Sequence, residues 1–255
     1  MKITIIPAIL ALSLILPRPV WSEGGGFRWC TNACFSECTP AARSGKNMYV
    51  FGECGYIAGK YIVDQDRSKQ SVAGLELLDS VVSRINFKEA DLSSFRAIRT
   101  DFTKVNFTRA SMDHGMLVSS NCYGCSFAAV QAPKFFCRDS SLFETPFREA
   151  NLPRATFESC RVQGLNFSGA TLDSGRIHHS WFTRVDFRDS HLADLKVTST
   201  DFREADFRGA DLQGWTFEDF NFPPSDFRGA RFNSKTKLPF SKAEALSRGM
   251  IEVQE

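Results

Sequence analysis

Cysteine is the residue type in this sequence with the most potential for chemistry, because thiolates act as nucleophiles, metal ligands and disulfide partners. Of the eight cysteines, Cys30, Cys34, Cys38 and Cys54 fall in one N-terminal stretch. The three-residue gaps among the first three lack the paired close spacing of a zinc ribbon or finger. Disulfides are therefore expected and a metal site is the alternative, although spacing does not choose among the ways of pairing them.

The segment Cys122-Tyr123-Gly124-Cys125 has the Cys-x-x-Cys spacing of a thiol redox site. Such a site needs an exposed thiolate activated by a helix N-terminus. The periodicity around it instead places both sulfurs inward, like those of Cys137 and Cys160. We expect buried, core-filling thiols here, and a disulfide across the turn between Cys122 and Cys125 is also open.

Histidine is the other residue type that could carry catalysis. His178, His179 and His191 lie near several aspartates. All three occupy outward positions on different faces or coils, so no triad geometry is implied. We therefore predict no catalytic residue, no metal site and no cofactor, and expect a protein that is not an enzyme.

A period of five residues determines which positions face inward. Every fifth residue from Phe87 to Phe232 is apolar, the residue two places earlier is usually small, and the other three are mostly polar. A helix repeats at 3.6 residues and a strand at two, so neither fits. Two inward and three outward positions are typical of a short strand followed by a corner.

A second period, of twenty residues, runs through the same positions. Every twentieth residue from Phe87 to Phe227 is phenylalanine. Another inward column is mainly hydroxylic: Thr100, Ser120, Ser140, Cys160, Ser180 and Thr200. Residues twenty apart must therefore stack, so one coil holds four pentads and has a square cross-section. With coils about 4.8 Å apart, at which phenylalanine rings can pack offset, residues 87–232 make about seven coils.

The repeat resembles the pentapeptide-repeat family, whose motif is Ala, then Asp or Asn, then Leu or Phe, then two variable residues. Ala90-Asp91-Leu92, Ala150-Asn151-Leu152 and Ala210-Asp211-Leu212 match it as they stand. The resemblance implies an all-β fold, a right-handed quadrilateral β-helix. It implies little about function, because the family hosts several roles. Family members often dimerise end to end, so a homodimer is open here.

The chain divides into four segments. Residues 1–22 read as a signal peptide, with Lys2, an apolar stretch and a cut before Glu23. Residues 23–71 form an irregular Cys-containing segment, 72–236 the pentapeptide-repeat β-helix, and 237–255 a C-terminal cap. Ser241-Lys242-Ala243-Glu244 is a capping box, which predicts a short helix over 241–248 that ends before Gly249 and could block end-to-end dimerisation.

Export has two consequences. It sends the chain to the periplasm or the extracellular space, or to a lumenal compartment, where disulfides persist, and the mature chain is not expected to enter the membrane. Cleavage removes Lys2 and Arg18, leaving 29 of the 31 basic residues against 29 acidic ones. Zero net charge argues against binding to nucleic acid, which needs a basic face.

One charged feature repeats on the predicted surface. Asp-Phe-Arg recurs every twenty residues, which places an aspartate column beside an arginine column. The six residues are Asp186, Arg188, Asp206, Arg208, Asp226 and Arg228. This face is either a solvated surface held by exposed ion pairs or a docking strip for a partner.

The expected function is an exported scaffold that binds another protein of unknown identity, since a solenoid filled with Phe and Leu leaves flat outer walls. The family resemblance also suggests a DNA-mimicking, gyrase-protecting protein, although such proteins are cytoplasmic and acid-faced. A secreted effector acting on another cell is a further alternative. A hexapeptide acyltransferase is excluded because its period is six.

Overall fold

The computed structural model describes residues 55–221 and 225–254, together with the backbone of residues 18–21 and 27–30; the side chains of 219–221 are outside this description. Strand β1 (Arg18–Trp21) pairs antiparallel with β2 (Phe27–Cys30). Most of the predicted signal segment lies outside the described residues, as do Cys34, Cys38 and Cys54, and Cys30 is described by its backbone alone. The predicted pairing of these four cysteines therefore stays a prediction.

From residue 55 the chain winds into a parallel β-solenoid, in which each coil contributes two short strands to neighbouring sheet faces. The first sheet face contains β3 (Tyr56–Ala58), β5 (Glu76–Leu78), β7 (Arg96–Ile98), β9 (Met116–Val118), β11 (Phe136–Arg138), β13 (Thr156–Glu158), β15 (Arg176–His178), the start of β17 (Lys196–Asp201) and that of β18 (Thr216–Asn221). The second sheet face contains β4 (Tyr61–Val63), β6 (Val81–Ser83), β8 (Asp101–Thr103), β10 (Asn121–Tyr123), β12 (Ser141–Phe143), β14 (Arg161–Gln163) and β16 (Trp181–Thr183).

The twenty-residue register predicted from the sequence is the register of the sheet. Tyr56 pairs with Glu76 and Asn121 with Ser141, and isolated bridges join residues twenty apart on the other two sides of the coil. The expected all-β solenoid is thus confirmed, but its predicted length was wrong. The structure has about ten turns rather than about seven, because pairing in register already begins at Tyr56 and continues to the C-terminus.

From Gly59 to Gly214, each pentad turns a corner through a residue with positive φ, and the turn after Phe87 shows how. Glu89 has a φ of 59°, and the amide of Ala90 donates to the carbonyl of Phe87 at 3.0 Å. The Asn86 side chain accepts a hydrogen bond from the amide of Lys88 at 3.2 Å. Short Asp or Asn side chains cap turns in this way, which explains their place in the repeat.

The phenylalanine column forms a continuous stack inside the solenoid. Phe107, Phe127, Phe147 and Phe167 are buried, and successive ring centroids lie 4.7 to 4.8 Å apart. The interplanar angle falls to 3° between Phe147 and Phe167. The predicted stacking is confirmed, and no wide space separates the rings along this part of the core.

The hydroxylic column satisfies backbone groups inside the solenoid. The buried Ser140 hydroxyl accepts from the amide of Ser120 at 3.0 Å and donates to the carbonyl of Arg138 at 2.7 Å. Ser120 and Ser180 repeat this pattern in their own coils. Because a buried amide without a partner is costly, small hydroxylic residues are favoured at this corner.

The C-terminal cap keeps the register of the solenoid. Helix α1 (Lys242–Ser247) begins at Ser241, whose hydroxyl accepts from the amide of Glu244, as the capping box predicted. The chain then passes Gly249, at a φ of 78°, and returns as β20 (Ile251–Glu252) to pair with β19 (Arg231–Phe232). The cap therefore covers the terminal strand. Within residues 55–221 and 225–254, no helix is long and apolar enough to span a bilayer.

Candidate docking faces

The predicted Asp and Arg columns share one face of the solenoid. Asp186, Asp206 and Asp226 form bridges one coil apart. Each carboxylate accepts from the amide of the arginine two residues later and from its guanidinium group, with the shortest side-chain distances between 2.6 and 2.8 Å. The structure therefore brings all six residues together; that they bind a partner stays a prediction.

We call these six aspartate and arginine residues the charged ladder. Ion pairs also link them from one coil to the next. Arg188 Nε lies 3.8 Å from Asp206, and Arg208 Nε lies 3.7 Å from Asp226. The hydrogen bond from Arg228 lowers the pKa of Asp226 below its ordinary value. Every carboxylate in the ladder already has a cation, so a partner would have to displace internal pairs to bind there.

The four central cysteines are buried, as their inward positions predicted. Hydrogen bonding to Cys125 and burial raise the pKa of Cys122 well above its ordinary value. Burial also raises the pKa of Cys137 well above its ordinary value. The hydrogen bond with Cys122 instead lowers the pKa of Cys125. All four sulfur atoms are nevertheless buried and out of contact with substrates, which does not suit a redox site.

The histidines lie on the surface without forming a site. The rings of His178 and His179 are 5.7 Å apart, and His191 is exposed on a different side of the solenoid. Among the described residues, no group of three or more His, Cys, Asp and Glu side chains is placed to hold a metal ion.

Large aromatic side chains stand outward on the second sheet face. Trp181 is 46% exposed and Phe143 is 39% exposed, and Tyr61 and Tyr123 are exposed on the same face. The other exposed large hydrophobic residues of the described chain, Leu246 and Ile251, belong to the C-terminal cap. The apolar surface of the solenoid wall is therefore concentrated on one side.

Trp181 and Phe143 border a shallow depression of about 480 Å³, which we call the aromatic depression. Its other lining residues are Arg161, Val162, Gln163, Thr183, Arg184, Arg203 and Glu204. The Trp and Phe side chains come from β16 and β12, and Arg161 comes from β14 between them. Parallel register thus places two aromatic rings and a guanidinium group on three consecutive coils.

The arginines of the aromatic depression differ in their pairing. Arg203 Nε lies 2.7 Å from Asp201, and Arg184 Nε lies 3.9 Å from Glu204. The guanidinium carbon of Arg161 instead lies 5.6 Å from the centroid of the Trp181 ring. Within the part of the chain that the structure describes, Arg161 makes no ion pair.

A family model for pentapeptide repeats matches this chain in eight copies, over residues 85–121, 150–189, 187–222 and 200–234. The chain belongs to the pentapeptide-repeat family. No similar sequence was found among curated proteins.

Several solved structures resemble this pentapeptide-repeat protein. HetL, a pentapeptide-repeat protein involved in heterocyst differentiation regulation in the cyanobacterium Nostoc sp. strain PCC 7120, is 12% identical with a TM-score of 0.33, over 78% of this chain and 93% of HetL. A trypsin-treated variant of QnrB1, a plasmid-mediated fluoroquinolone resistance protein, is 18% identical with a TM-score of 0.35, over 77% and 91% of the two chains. At these scores neither likeness carries an argument about function.

Sequence reasoning about this pentapeptide-repeat protein found the charged ladder but missed the aromatic depression. The ladder repeats every twenty residues, so its columns are visible in the chain. Trp181 and Phe143 do not repeat, and they occupy different outward positions of their pentads. The available signal was an aromatic residue at a position that the period assigns to solvent.

Proposed function

We propose that this pentapeptide-repeat protein is an exported, non-enzymatic scaffold that binds another protein through the aromatic depression. The observation that carries the proposal is the pair of exposed rings of Trp181 and Phe143 beside Arg161, which has no carboxylate partner among the described residues. Aromatic residues and arginine are enriched in protein interfaces. Trp, Tyr and Arg are also enriched among the residues whose truncation costs much binding energy.

The chemistry of the aromatic depression favours an acidic segment that carries an apolar or aromatic side chain. Three guanidinium groups, of Arg161, Arg184 and Arg203, face it, against the carboxylates of Glu204 and Asp201. An incoming carboxylate can pair with Arg161 while an apolar side chain covers the Trp181 ring. Burial of that ring would strengthen the existing contact between ring and cation, because such contacts gain when desolvated.

The charged ladder is the weaker docking candidate. Asp186, Asp206 and Asp226 each hold an arginine within 2.8 Å. Partner binding there would exchange existing ion pairs for new ones, and exposed pairs contribute little, under about 1 kcal/mol each. The same pairing does not favour a DNA-mimicking role, for which uncompensated carboxylates are needed.

The proposal can be tested with immobilised mature protein and an extract of its own compartment. The variants are Trp181→Ala and Arg161→Glu. The matched control is Arg138→Glu, because Arg138 lies 5.6 Å over the Phe136 ring on the first sheet face and so repeats the cation–aromatic pair elsewhere. Recovered proteins are quantified by mass spectrometry, and the affinity of any specific partner is then measured with purified protein.

We expect a partner that binds the native protein and the Arg138→Glu control alike. Removal of Trp181 should weaken binding about 30-fold, the equivalent of a 2 kcal/mol hot spot, and the contact region should be acidic. Equal binding by all four proteins would place the interaction elsewhere and refute the proposed site. Loss on reversing Arg188 or Arg208 alone would assign docking to the charged ladder instead.

Export is the second part of the proposal and rests on the apolar stretch that follows Lys2. Expression of the whole chain in a secretion-competent host, followed by mass measurement of the product, tests it. A mature protein that begins at Glu23 in an extracytoplasmic fraction is expected. Recovery of the uncleaved chain in the cytoplasm would contradict export without affecting the docking proposal.

A further inference from the structure

Two cysteines, Cys137 and Cys160, meet inside the solenoid, apart from the aromatic depression and the charged ladder. Cys137 is the central residue of β11, and Cys160 lies at the corner after β13. Their sulfur atoms are 2.7 Å apart, and both residues are fully buried. A disulfide has an S–S distance of about 2.05 Å, so the two atoms need to approach by less than about 1 Å to bond.

The repeat geometry explains why these two side chains face each other. At this corner, a side chain reaches the residue twenty-three positions earlier in the preceding coil. Ser140 Oγ lies 3.5 Å from the carbonyl oxygen of Leu117, and Ser180 Oγ lies 3.4 Å from that of Phe157. Cys160 bears the same relation to Cys137. The contact is therefore set by the coil itself and recurs along the solenoid.

Between residues 77 and 200, the two columns that contain these cysteines depart from their usual residue types at this one point. From Ser80 to Thr200, the corner column is hydroxylic except for Cys160: Ser80, Thr100, Ser120, Ser140, Ser180 and Thr200. The facing column is hydrocarbon except for Cys137: Leu77, Ala97, Leu117, Phe157, Ile177 and Val197. The cysteine of the corner column, Cys160, thus lies opposite the cysteine of the facing column, Cys137. A covalent cross-link between the two columns requires this arrangement.

We propose that Cys137 and Cys160 form a disulfide that joins two neighbouring coils. One cysteine thiolate attacks an exchangeable external disulfide, such as oxidised glutathione, which forms a mixed disulfide and releases one thiol. The other thiolate then displaces the second external thiol and forms the Cys137–Cys160 bond. The external disulfide accepts two electrons, and the two protons end on the thiols released. Because both sulfurs are buried, the exchange occurs before these coils close.

Tryptic cleavage places Cys137 and Cys160 on separate peptides and keeps both apart from Cys122 and Cys125. Cys137 falls in residues 135–138 and Cys160 in residues 155–161, whereas Cys122 and Cys125 share residues 110–134. The whole protein is folded in a glutathione redox buffer, denatured in the presence of iodoacetamide and digested without reductant. We expect a linked peptide that joins 135–138 to 155–161 and that separates into its two parts on reduction.

The variant Cys160→Ser provides a matched control, because serine occupies the same corner in the coils at Ser140 and Ser180. It should fold and should release residues 135–138 as an alkylated free peptide. The native protein should melt about 5–10 °C above Cys160→Ser before reduction, and this difference should vanish with reductant. Since the N-terminal cysteines are common to both proteins, they do not contribute to the difference.

Two results would overturn the inference. One is recovery of both peptides fully alkylated from protein that folded in oxidised glutathione. The other is linkage of residues 135–138 to the peptide that contains Cys122. Neither result bears on the aromatic depression, so this inference and the proposed docking function succeed or fail separately.

Discussion

Replacement of Phe147 by alanine is the most direct probe of what holds the solenoid together. The Phe147 ring is fully buried and stacks on two neighbours, 4.8 Å from Phe127 at 9° and 4.7 Å from Phe167 at 3°. Its amide donates to the carbonyl of Asn166 at 2.8 Å, which holds the adjacent coil at a fixed distance. The coils therefore cannot close over the space that alanine would leave.

The size of the effect follows from that rigidity. Truncation of a buried phenylalanine to alanine costs about 3–5 kcal/mol, with the larger values where the site does not collapse. Each lost stacking contact contributes about 0.5–1.5 kcal/mol beyond the buried area. We expect a loss of about 4–5 kcal/mol in the free energy of unfolding. The control is Phe143→Ala, four residues earlier in the same coil but 39% exposed, for which we expect less than about 1 kcal/mol.

The measurement is urea denaturation followed by far-ultraviolet circular dichroism, with the free energy taken from midpoint and slope. An unchanged slope in Phe147→Ala would show that the coils still unfold together. A loss below about 2 kcal/mol, or a loss equal to that of Phe143→Ala, would refute the claim that the coil spacing prevents collapse. Loss of a single cooperative transition would also refute it, since repeat arrays can unfold in parts.

Three further predictions concern the corners and the charged ladder. Gly164→Ala should lower the free energy of unfolding by about 1 kcal/mol in denaturant melts. Gly164 has a φ of 64° and nothing lies within 4 Å of an added Cβ, so the cost comes from the backbone conformation alone. Ser159→Gly should raise the free energy of unfolding, because Ser159 has a φ of 55°, which glycine adopts more readily. Ser140→Ala should cost about 1–3 kcal/mol in the same assay, because it leaves the buried amide it serves without an acceptor. Since the hydrogen bond from Arg228 lowers the pKa of Asp226, that pair stabilises the fold above the ordinary carboxyl pKa and is lost as the pH falls through the lowered value. Thermal melts between about pH 5 and pH 3 should therefore decline less steeply in Arg228→Met.

The sequence predicted the interior of the solenoid better than the number of its coils or the composition of its functional surface. The phenylalanine and hydroxylic columns repeat without a slip, so the register could be counted. The first coils carry Ile57 and Ile62 at inward positions without the Ala-Asp-Leu pattern, which is why about seven coils were expected. At the other end, residues between β19 and β20 abandon the repeat while the backbone keeps its register, as the pairing of Arg231 with Ile251 shows.

The candidate site was harder to predict for a related reason. Inward positions are constrained by packing, so each column admits few residue types and leaves a pattern. Apart from the Asp or Asn that caps many of the turns and the arginines of the charged ladder, outward positions are constrained by little except solubility, so a single functional residue there leaves no repeat. Trp181 and Phe143 become neighbours of Arg161 through the parallel pairing of β12, β14 and β16. The sequence therefore predicts that these three side chains are neighbours only once the twenty-residue register of the strands is known.

The direction of the hydrogen bonds limits how any partner can recognise this solenoid. Backbone amides and carbonyls bond along the axis to the next coil, as between Asn121 and Thr100 or Ser141 and Ser120. The sheet faces therefore offer side chains and not free backbone groups. At the C-terminus, β20 already pairs with β19, so a partner strand could add there only at the outer edge of β20. Recognition on the sheet faces must then depend on outward side chains, and an aromatic residue that solvent does not favour is the most informative of these.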